Sequence, residues 1–359
     1  LKISIIGLPN TGKTTIFNAL TGQNAETTVY PTTTGEPHKG MVKVPDTRVD
    51  ALSEIFKPKK TAFATIEYMD YIGLTKGDTE QNRKVFDLIK DVEAIVHVVR
   101  VFEDEAVTYP MGAIDPLRDI DVVGMELIFS DLEFVEKRLA RMEEGKKRGK
   151  KPNETENRLL VKCRDHLEKE TALRDVEFGE DEKTAMKPLQ FLSTKPVVVV
   201  LNIGEKDLNS DSVKDLQSTL QTRYPSLYVL PLCGKIEMEI AQLASDEKRM
   251  FLDDLGIDKP ASDKLIHTCY TLLGLISFLT VGEDEVRAWT IRKDTPAVSA
   301  AGKVHSDIER GFIRAEVVSY DDFMSAGSIH AARERGLLRL EGKTYEVKDG
   351  DIINFRFNV

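Results

Sequence analysis

The sequence predicts an α/β fold in which a parallel sheet, covered on both sides, is interrupted by a long helical insertion and followed by a small α+β domain. Three observations carry that expectation. Runs such as AIVHVV (94–99) and VVVVL (197–201) are apolar on both faces, as strands inside a parallel sheet must be. A glycine-rich segment, GLPNTGKT (7–14), stands between a strand pattern and a helical pattern. Between residues 122 and 192 the apolar spacing turns to three and four, and from residue 276 the text becomes β-rich.

Taken in order, residues 2–6 form a first strand and TTIFNAL (14–20) a helix, with further strands at 65–69, 94–99, 197–201 and 227–232. The insertion carries Leu132, Val135, Leu139 and Met142, then Leu159, Cys163, Leu167 and Leu173, at helical steps, which predicts a coiled-coil-like hairpin. EEGKKRGKKPNE separates its arms: Gly145, Gly149 and Pro152 break the helix, and Lys146, Lys147, Arg148, Lys150 and Lys151 crowd the tip. That tip reads equally as a solvated turn or as a contact for ribosome or RNA. Helical spacing resumes over 262–275, and the tail holds VRAWTI, FIRAEVV and TYEVKDGDIINFRFNV, with a helix expected at 300–308. The chain therefore divides at 1–121, 122–192, 193–275 and 276–359.

A length of 359 residues, 41% hydrophobic and 31% charged, predicts two or three domains and excludes both a disordered chain and a disulfide-stapled peptide. No apolar run approaches the ~18 residues of a transmembrane helix, and no secretory pattern opens the chain. A cytoplasmic protein without a membrane partner is expected. Because Leu1 already lies in a strand pattern, the numbering is expected to omit an initiator Met and a few residues. Fifty Lys and Arg against 60 Asp and Glu give a net charge of −10, so no DNA partner is expected and any RNA contact must be local. The tail is not basic either, with 12 cationic and 14 anionic side chains. Cys163, Cys233 and Cys269 show neither CxxC spacing nor a disulfide pattern and read as reduced, partly buried thiols. The six histidines lack metal spacing: His97 reads as a core residue, and His305 and Trp289 as packing residues of the tail.

GLPNTGKT satisfies GxxxxGK[ST] in the required strand–loop–helix context. The loop Asn10, Thr11, Gly12 and the helix start Lys13, Thr14, Thr15 then surround phosphates with N–H groups. Lys13 reaches the β and γ phosphates, and the Thr14 hydroxyl binds Mg2+. Asp70 ends an apolar strand and opens DYIG, a DxxG in which Asp70 holds a Mg2+ water and the Gly73 N–H meets the γ phosphate. Between the two lies YPTTTGEP, where Thr34 supplies a second Mg2+ hydroxyl, with Thr33 as its close rival.

GLPNTGKTTIFNALT, YPTTTGEP, MDYIGL, HVVRVFED, CGKIE, EVRAWTIRKDT, GFIRAEVVSYDDF and DGDIINFRFNV together resemble the YchF subfamily of the Obg-like P-loop NTPases, the Obg-like ATPases, across essentially the whole chain. The resemblance implies a P-loop NTPase G domain interrupted by an α-helical coiled-coil hairpin and followed by a TGS domain of β-grasp fold. It also implies a Mg2+-dependent nucleotide switch with slow ATPase activity, associated with ribosomes or RNA in translation or stress regulation.

The base-reading segment bears on that choice. A guanine-specific relative carries NKxD, whose Asp accepts from guanine N1–H and the N2 amino group. Here VVVVL is followed by Asn202-Ile203-Gly204-Glu205, with the Lys absent and the carboxylate one methylene longer. Guanine readout is weakened, and the Asn202 amide oxygen is a candidate acceptor for the adenine N6 amino group. The resemblance adds Phe102 and Ile203 as apolar walls for the base, and NxxE, with Glu205, as the ATP-preferring form. A GTP-specific factor, and a ribosome-binding module whose hydrolysis is incidental, remain the competing readings.

Leu74 stands where many GTPases place a water-orienting Gln, so slow turnover is expected. Asn10 is a candidate K+ ligand by analogy with K+-stimulated P-loop NTPases, equally a maker of local loop hydrogen bonds. The chain departs from the family in TKGDTEQNRK after DxxGL, in Thr108 and Tyr109 where relatives often carry His, and in YPTTT for YPFCT.

Overall fold

The computed structural model describes residues 1–25, 37–71, 73–149, 151 and 153–358. Strand β1 (Lys2–Ile6) leads through the glycine-rich loop into α1 (Lys13–Thr21), followed by β2 (His38–Lys43), α2 (Thr47–Phe56), β3 (Lys60–Ala62) and β4 (Thr65–Asp70). Next come α3 (Thr79–Ile89), β5 (Ala94–Arg100), the long α4 (Pro116–Lys147), α5 (Glu154–Leu167) and α6 (Glu180–Met186). The chain continues as β6 (Val197–Asn202), α7 (Asp211–Arg223), β7 (Tyr228–Leu232), α8 (Gly234–Gln242), α9 (Ser245–Asp254) and α10 (Ala261–Leu272). The tail adds β8 (Leu275–Thr280), β9 (Glu285–Arg292), α11 (Ala297–Val304), α12 (Ser306–Arg310), β10 (Phe312–Ser319), α13 (Tyr320–Ala326), α14 (Ile329–Glu334), β11 (Arg339–Glu341) and β12 (Asp351–Phe357).

These elements form two units, Leu1–Met41 with Glu67–Ser262, and Val42–Ile66 with Asp263–Val359. The first is built on a sheet of order β2-β4-β1-β5-β6-β7, in which β4, β1, β5, β6 and β7 run parallel. Strands β5 and β6 are buried at every residue, which is why they read as unbroken apolar runs. Because the strands are parallel, the loops after Ile6, Asp70, Arg100, Asn202 and Leu232 all leave the same carboxyl edge, where doubly wound sheets bind ligands.

The insertion is helical. Asp115 caps α4 by accepting from the Arg118 N–H, Pro116 follows the cap, and Lys146 and Lys147 occupy the last turn. The helix starts before residue 122 because Ile120, Val123 and Leu127 still belong to the sheet's core. Beyond them Ile128 and Val135 pack with Leu159, Leu160, Cys163 and Leu167 of α5, and with the partly buried Leu132, Leu139 and Met142. On the return Phe191 belongs to the hairpin core and Leu192 to the sheet core. Asp131 fixes that junction by accepting from the N–H groups of Leu192 (2.9 Å) and Ser193 (2.7 Å). Among the described residues, no helix is long and apolar enough to cross a membrane.

The second unit holds a sheet of order β11-β10-β12-β8-β9-β3. Its antiparallel β8–β9 and β10–β12 pairs, joined by a parallel β8–β12 contact, make the β-grasp order, with Ala297, Ala300 and Ala301 of α11 in the core beside Phe278, Phe312 and Phe355. Residues 42–66 differ from their expected place in the first part of the G domain. They group with the tail, where β3 extends the sheet parallel to β9 (Lys60↔Glu285) and Phe56 stacks on Phe323 at 5.6 Å. Helix α10 groups there too, its Tyr270 hydroxyl meeting Ser277 Oγ and Thr290 Oγ1 at 2.8 and 3.0 Å. The helix expected at 300–308 is two: α11 ends at Val304, and the extended His305 caps α12 by accepting from the Asp307 N–H.

Candidate nucleotide-binding site

A loop that holds an anion must turn its carbonyls away from it, and each carbonyl so turned needs a donor. Here Gly7 O accepts from Leu74 N (2.9 Å), Leu8 O from Thr11 Oγ1 (3.1 Å) and Lys13 Nζ (2.8 Å), and Gly12 O from Ile16 N (3.0 Å). Asn10 O accepts from Arg100 Nη1 (3.3 Å) and Thr11 O from Asn202 Nδ2 (2.9 Å). The loop is thus braced from the protein side and leaves its N–H side to an anion. Any other residue at Gly12 is strained, since its φ of 90° favours glycine and a Cβ would lie 2.1 Å from Asn202 Nδ2, which would have to shift. Burial pulls the Lys13 ammonium down to about 8, against the opposing attraction of Asp70. Thr15 lies beside the turn into α8, within reach of a Cβ built at Gly234.

Asp70, at the end of β4, accepts from Thr14 Oγ1 at 2.7 Å through Oδ2, with His38 Nδ1 at 3.6 Å from the same oxygen. Its Oδ1 is buried and has no hydrogen-bond partner among the described residues, and burial raises the pKa of the carboxyl against the pull of Lys13 and the Thr14 bond. A buried carboxylate oxygen with no donor, beside a threonine hydroxyl, is chemistry suited to a hard divalent cation and its water. Gly73 packs so closely on the loop that a Cβ would meet Pro9 Cα at 2.9 Å and Lys13 Nζ at 3.1 Å. The Gly73–Leu74 peptide is held on both sides, its C=O accepting from Gln81 Nε2 (3.2 Å) and its N–H donating to Gly7 O. Leu74 is fully buried. Thr33 and Thr34 lie outside the described residues.

On the base side, Asn202 does more than the sequence predicts. Besides donating to Thr11 O it accepts from the Gly234 N–H at 3.0 Å through Oδ1, and it is buried. Its amide ties the loop after β1 to the turn after β7, a bracing role that the sequence does not predict and that uses one of the two lone pairs of the oxygen expected to meet adenine N6. Ile203 is buried, and Phe102 lies beside Gly12 and Gly204. Glu205 is exposed and paired with Lys235, Oε1 to Nζ at 2.6 Å. Asn10, with φ 60°, donates from Nδ2 to Thr108 O at 2.7 Å, the local bond that competed with K+.

The residue that the sequence does not single out is Arg100. It is buried at the end of β5, where its guanidinium donates to the carbonyls of Phe102, Asn10, Val107 and Asp104 and lies over the rings of Phe102 (4.4 Å) and Tyr109 (5.1 Å). A charged residue closing an otherwise apolar buried run is the available signal. His97, on the same strand, is buried, and burial pulls its pKa down to about 3, so it is neutral. All three cysteines are free and buried. Trp289 packs in the tail's core, whereas His305 is exposed. Among the described residues no group of His, Cys, Asp and Glu could hold a metal by itself.

The parallel sheet, the GxxxxGKT loop and the Thr14–Asp70 pair at its carboxyl edge define a P-loop nucleoside-triphosphatase of the GTPase class. A family model described as 50S ribosome-binding GTPase matches residues 2–118, and the YchF-GTPase C-terminal model, described as a protein of unknown function (DUF933), matches residues 275–358. The chain is 43% identical to the ribosome-binding ATPase YchF of Bacillus subtilis (strain 168), covering 100% of both, and 39% identical to that of Escherichia coli O157:H7, covering 100% of this chain and 99% of the other. The structure of the Schizosaccharomyces pombe YchF GTPase matches with a TM-score of 0.83 at 30% identity, over 99% of this chain and 97% of that one. The chain belongs to the YchF family.

Proposed function

We propose that this protein is a cytoplasmic, Mg2+-dependent switch that binds and slowly hydrolyses ATP and works on the ribosome. One observation carries the nucleotide half: Thr14 Oγ1 donates to Asp70 Oδ2, and the companion Oδ1, buried and without a hydrogen-bond partner among the described residues, lies in the same carboxylate beside a loop whose carbonyls at Gly7, Leu8, Asn10, Thr11 and Gly12 are all engaged from the protein side. Mg2+, which P-loop GTPases use as a class, would be held by Thr14 directly and by Asp70 through a water, with Thr34 as a further hydroxyl. It would neutralise charge developing between the β and γ phosphates. Lys13 clamps those phosphates, and the N–H groups of Asn10, Thr11, Gly12, Lys13, Thr14 and Thr15 line them. The Gly73 N–H meets the γ phosphate. Leu74 offers no hydrogen bond to an attacking water, which accounts for slow turnover. K+ at Asn10 is a second ion of this reading, checked by exchanging K+ for Na+ during hydrolysis.

Preference for ATP rests on Glu205 and on the relatives, which are named ATPases. A carboxylate engaged by Lys235 is a poorer double acceptor for guanine than a free Asp, and Phe102 and Ile203 serve either purine. The ribosome enters from the same relatives' names and from the cationic hairpin tip. The test is to identify the nucleotide retained by the purified protein and to measure ATP and GTP hydrolysis with Mg2+ and with EDTA. ATP turnover that EDTA abolishes supports the reading, and turnover indifferent to EDTA, or to Asp70→Ala, contradicts it.

A further inference from the structure

The segment TKGDTEQNRK (75–84) follows the DxxG directly and departs from the family pattern. Its centre is Asn82, buried in the first turn of α3. Asn82 closes on Thr75 from both sides, Oδ1 accepting from the Thr75 N–H at 3.0 Å and Nδ2 donating to the Thr75 C=O at 2.8 Å. The same amide nitrogen reaches α4, donating to Glu126 Oε2 at 2.8 Å. Glu126 in turn accepts from the Gly77 N–H through Oε1 at 2.9 Å, so one carboxylate on the hairpin's first arm holds this loop twice. Arg83 and Glu133 pair between the same two helices at 2.6 Å, but both are exposed and add little. Just before Thr75, the Gly73–Leu74 peptide rests on the phosphate loop, with Leu74 N bonded to Gly7 O and a Cβ built at Gly73 only 3.1 Å from Lys13 Nζ.

A backbone N–H stabilises charge on a γ phosphate best when the chain that carries it is fixed beforehand. Residues 73–78 belong to no helix or strand, so that fixing falls on side chains. We propose that Asn82 and Glu126 are positioning residues for the γ phosphate: Asn82 sets the Gly73–Leu74 peptide by clamping Thr75, and Glu126 orients the Asn82 amide and anchors the loop to α4. Only one orientation of that amide satisfies all three of its bonds. A flip would set Nδ2 against the Thr75 N–H and Oδ1 against the Glu126 carboxylate. The first arm of the hairpin thereby takes part in the nucleotide site, and whatever displaces the base of α4 acts on the same bonds as the γ phosphate. The inference rests on the reading that a nucleoside triphosphate occupies the loop with the Gly73 N–H on its last phosphate.

The test is a mutant cycle on the full-length protein, Asn82→Asp, Glu126→Gln and the two together. It is read by kcat for ATP and by the ratio of affinities for AMP-PNP, which has a γ phosphate, and ADP, which lacks one. Asn82→Asp keeps the acceptor for the Thr75 N–H, loses the donor to the Thr75 carbonyl and sets a carboxylate against Glu126. The expected result is a kcat lower by about tenfold or more, with AMP-PNP bound more weakly and ADP binding unchanged. Glu126→Gln should lose less, since one oxygen still accepts from Gly77. The double variant should recover part of the Asn82→Asp loss, because the new amide donates to the new carboxylate. Thermal melting checks the fold; should Asn82→Asp not fold, Glu126→Ala is read in the same two ways, with the same direction expected. Equal weakening of AMP-PNP and ADP would mean that the pair only holds the fold, and it overturns the proposal. Unchanged kcat and affinity ratio, or losses that simply add in the double variant, overturn it as well. Those outcomes with a wild-type protein that binds both nucleotides contradict this inference alone, whereas a wild-type protein that binds neither contradicts the ATP reading and this inference with it.

Discussion

The Lys13 ammonium is buried against Leu8 O, and burial lowers its pKa from 10.5 to about 8. Between those values the unfolded chain binds more protons than the folded one, so this group makes the nucleotide-free protein more stable as pH rises through that window and less stable below it. A bound triphosphate favours the charged form and raises the pKa again. Nucleotide affinity should therefore be flat below about pH 8 and fall above it, with proton uptake on binding, which calorimetry in buffers of different ionisation enthalpy reads directly. Lys13→Ala should abolish that pH dependence together with most of the affinity. Arg100 acts one step further back. Arg100→Met removes the donor that turns the Asn10 carbonyl away from the phosphates, and hydrogen bonds involving charged groups are worth ~1.5–3 kcal/mol. The KM for ATP should rise by on the order of tenfold or more, with kcat changed far less. Binding of adenosine, which has no phosphates, should change less than binding of ATP; equal losses for both would mean that Arg100 only holds the fold.

At the scale of elements, the hairpin is attached to the sheet by a small buried junction, and Asp131 is its centre. Asp131→Ala leaves the N–H groups of Leu192 and Ser193 without their acceptor, each costing ~1–3 kcal/mol when buried. A loss of ~2–4 kcal/mol in denaturant unfolding follows, with Asp131→Asn losing less because one oxygen survives. The elements that are legible in the sequence share a physical trait. Strands β5 and β6 are buried on both sides and leave no polar position to confuse the pattern, and the hairpin's apolar spacing repeats over many turns. Strand β3 has three residues, too few for any period, so residues 42–66 give no sign that they join the tail. Asn202 is recognisable as a site residue, but its partner is not, since Thr11 is 191 positions away and only folding brings them together. The role of Arg100 is hidden for a related reason: the charge closing β5 is visible, but its acceptors are backbone carbonyls, which have no residue type.

At the scale of the molecule, charge is unevenly spread. The hairpin tip carries a dense run of cations, yet Lys147 and Arg148 have carboxylate partners one turn earlier, Glu143 at 3.3 Å and Glu144 at 3.7 Å, and exposed pairs of this kind are worth little. They exchange readily for phosphates. Changing Lys146, Lys147, Arg148, Lys150 and Lys151 to Ser should weaken ribosome co-sedimentation and flatten its salt dependence by about 0.7 to 0.9 for each phosphate that loses its cation. ATP hydrolysis without ribosomes should be unaffected, because the tip is separated from the phosphate loop by most of α4. If co-sedimentation is unchanged, the tip is a solvated turn.

The central claim is that this site selects ATP, and the most direct measurement is competition between ATP and GTP on the intact protein and on the Ile203→Lys, Glu205→Asp variant. Those two changes restore the NKxD form with its shorter carboxylate, while Asn202 keeps its bonds to Thr11 and Gly234. The account predicts that the wild-type protein binds ATP in preference to GTP and that the variant moves the ratio toward GTP by about tenfold or more, the change that one hydrogen bond to a charged group, worth ~1.5–3 kcal/mol, makes. A wild-type protein that prefers GTP, or a ratio that the variant leaves unchanged, would contradict it.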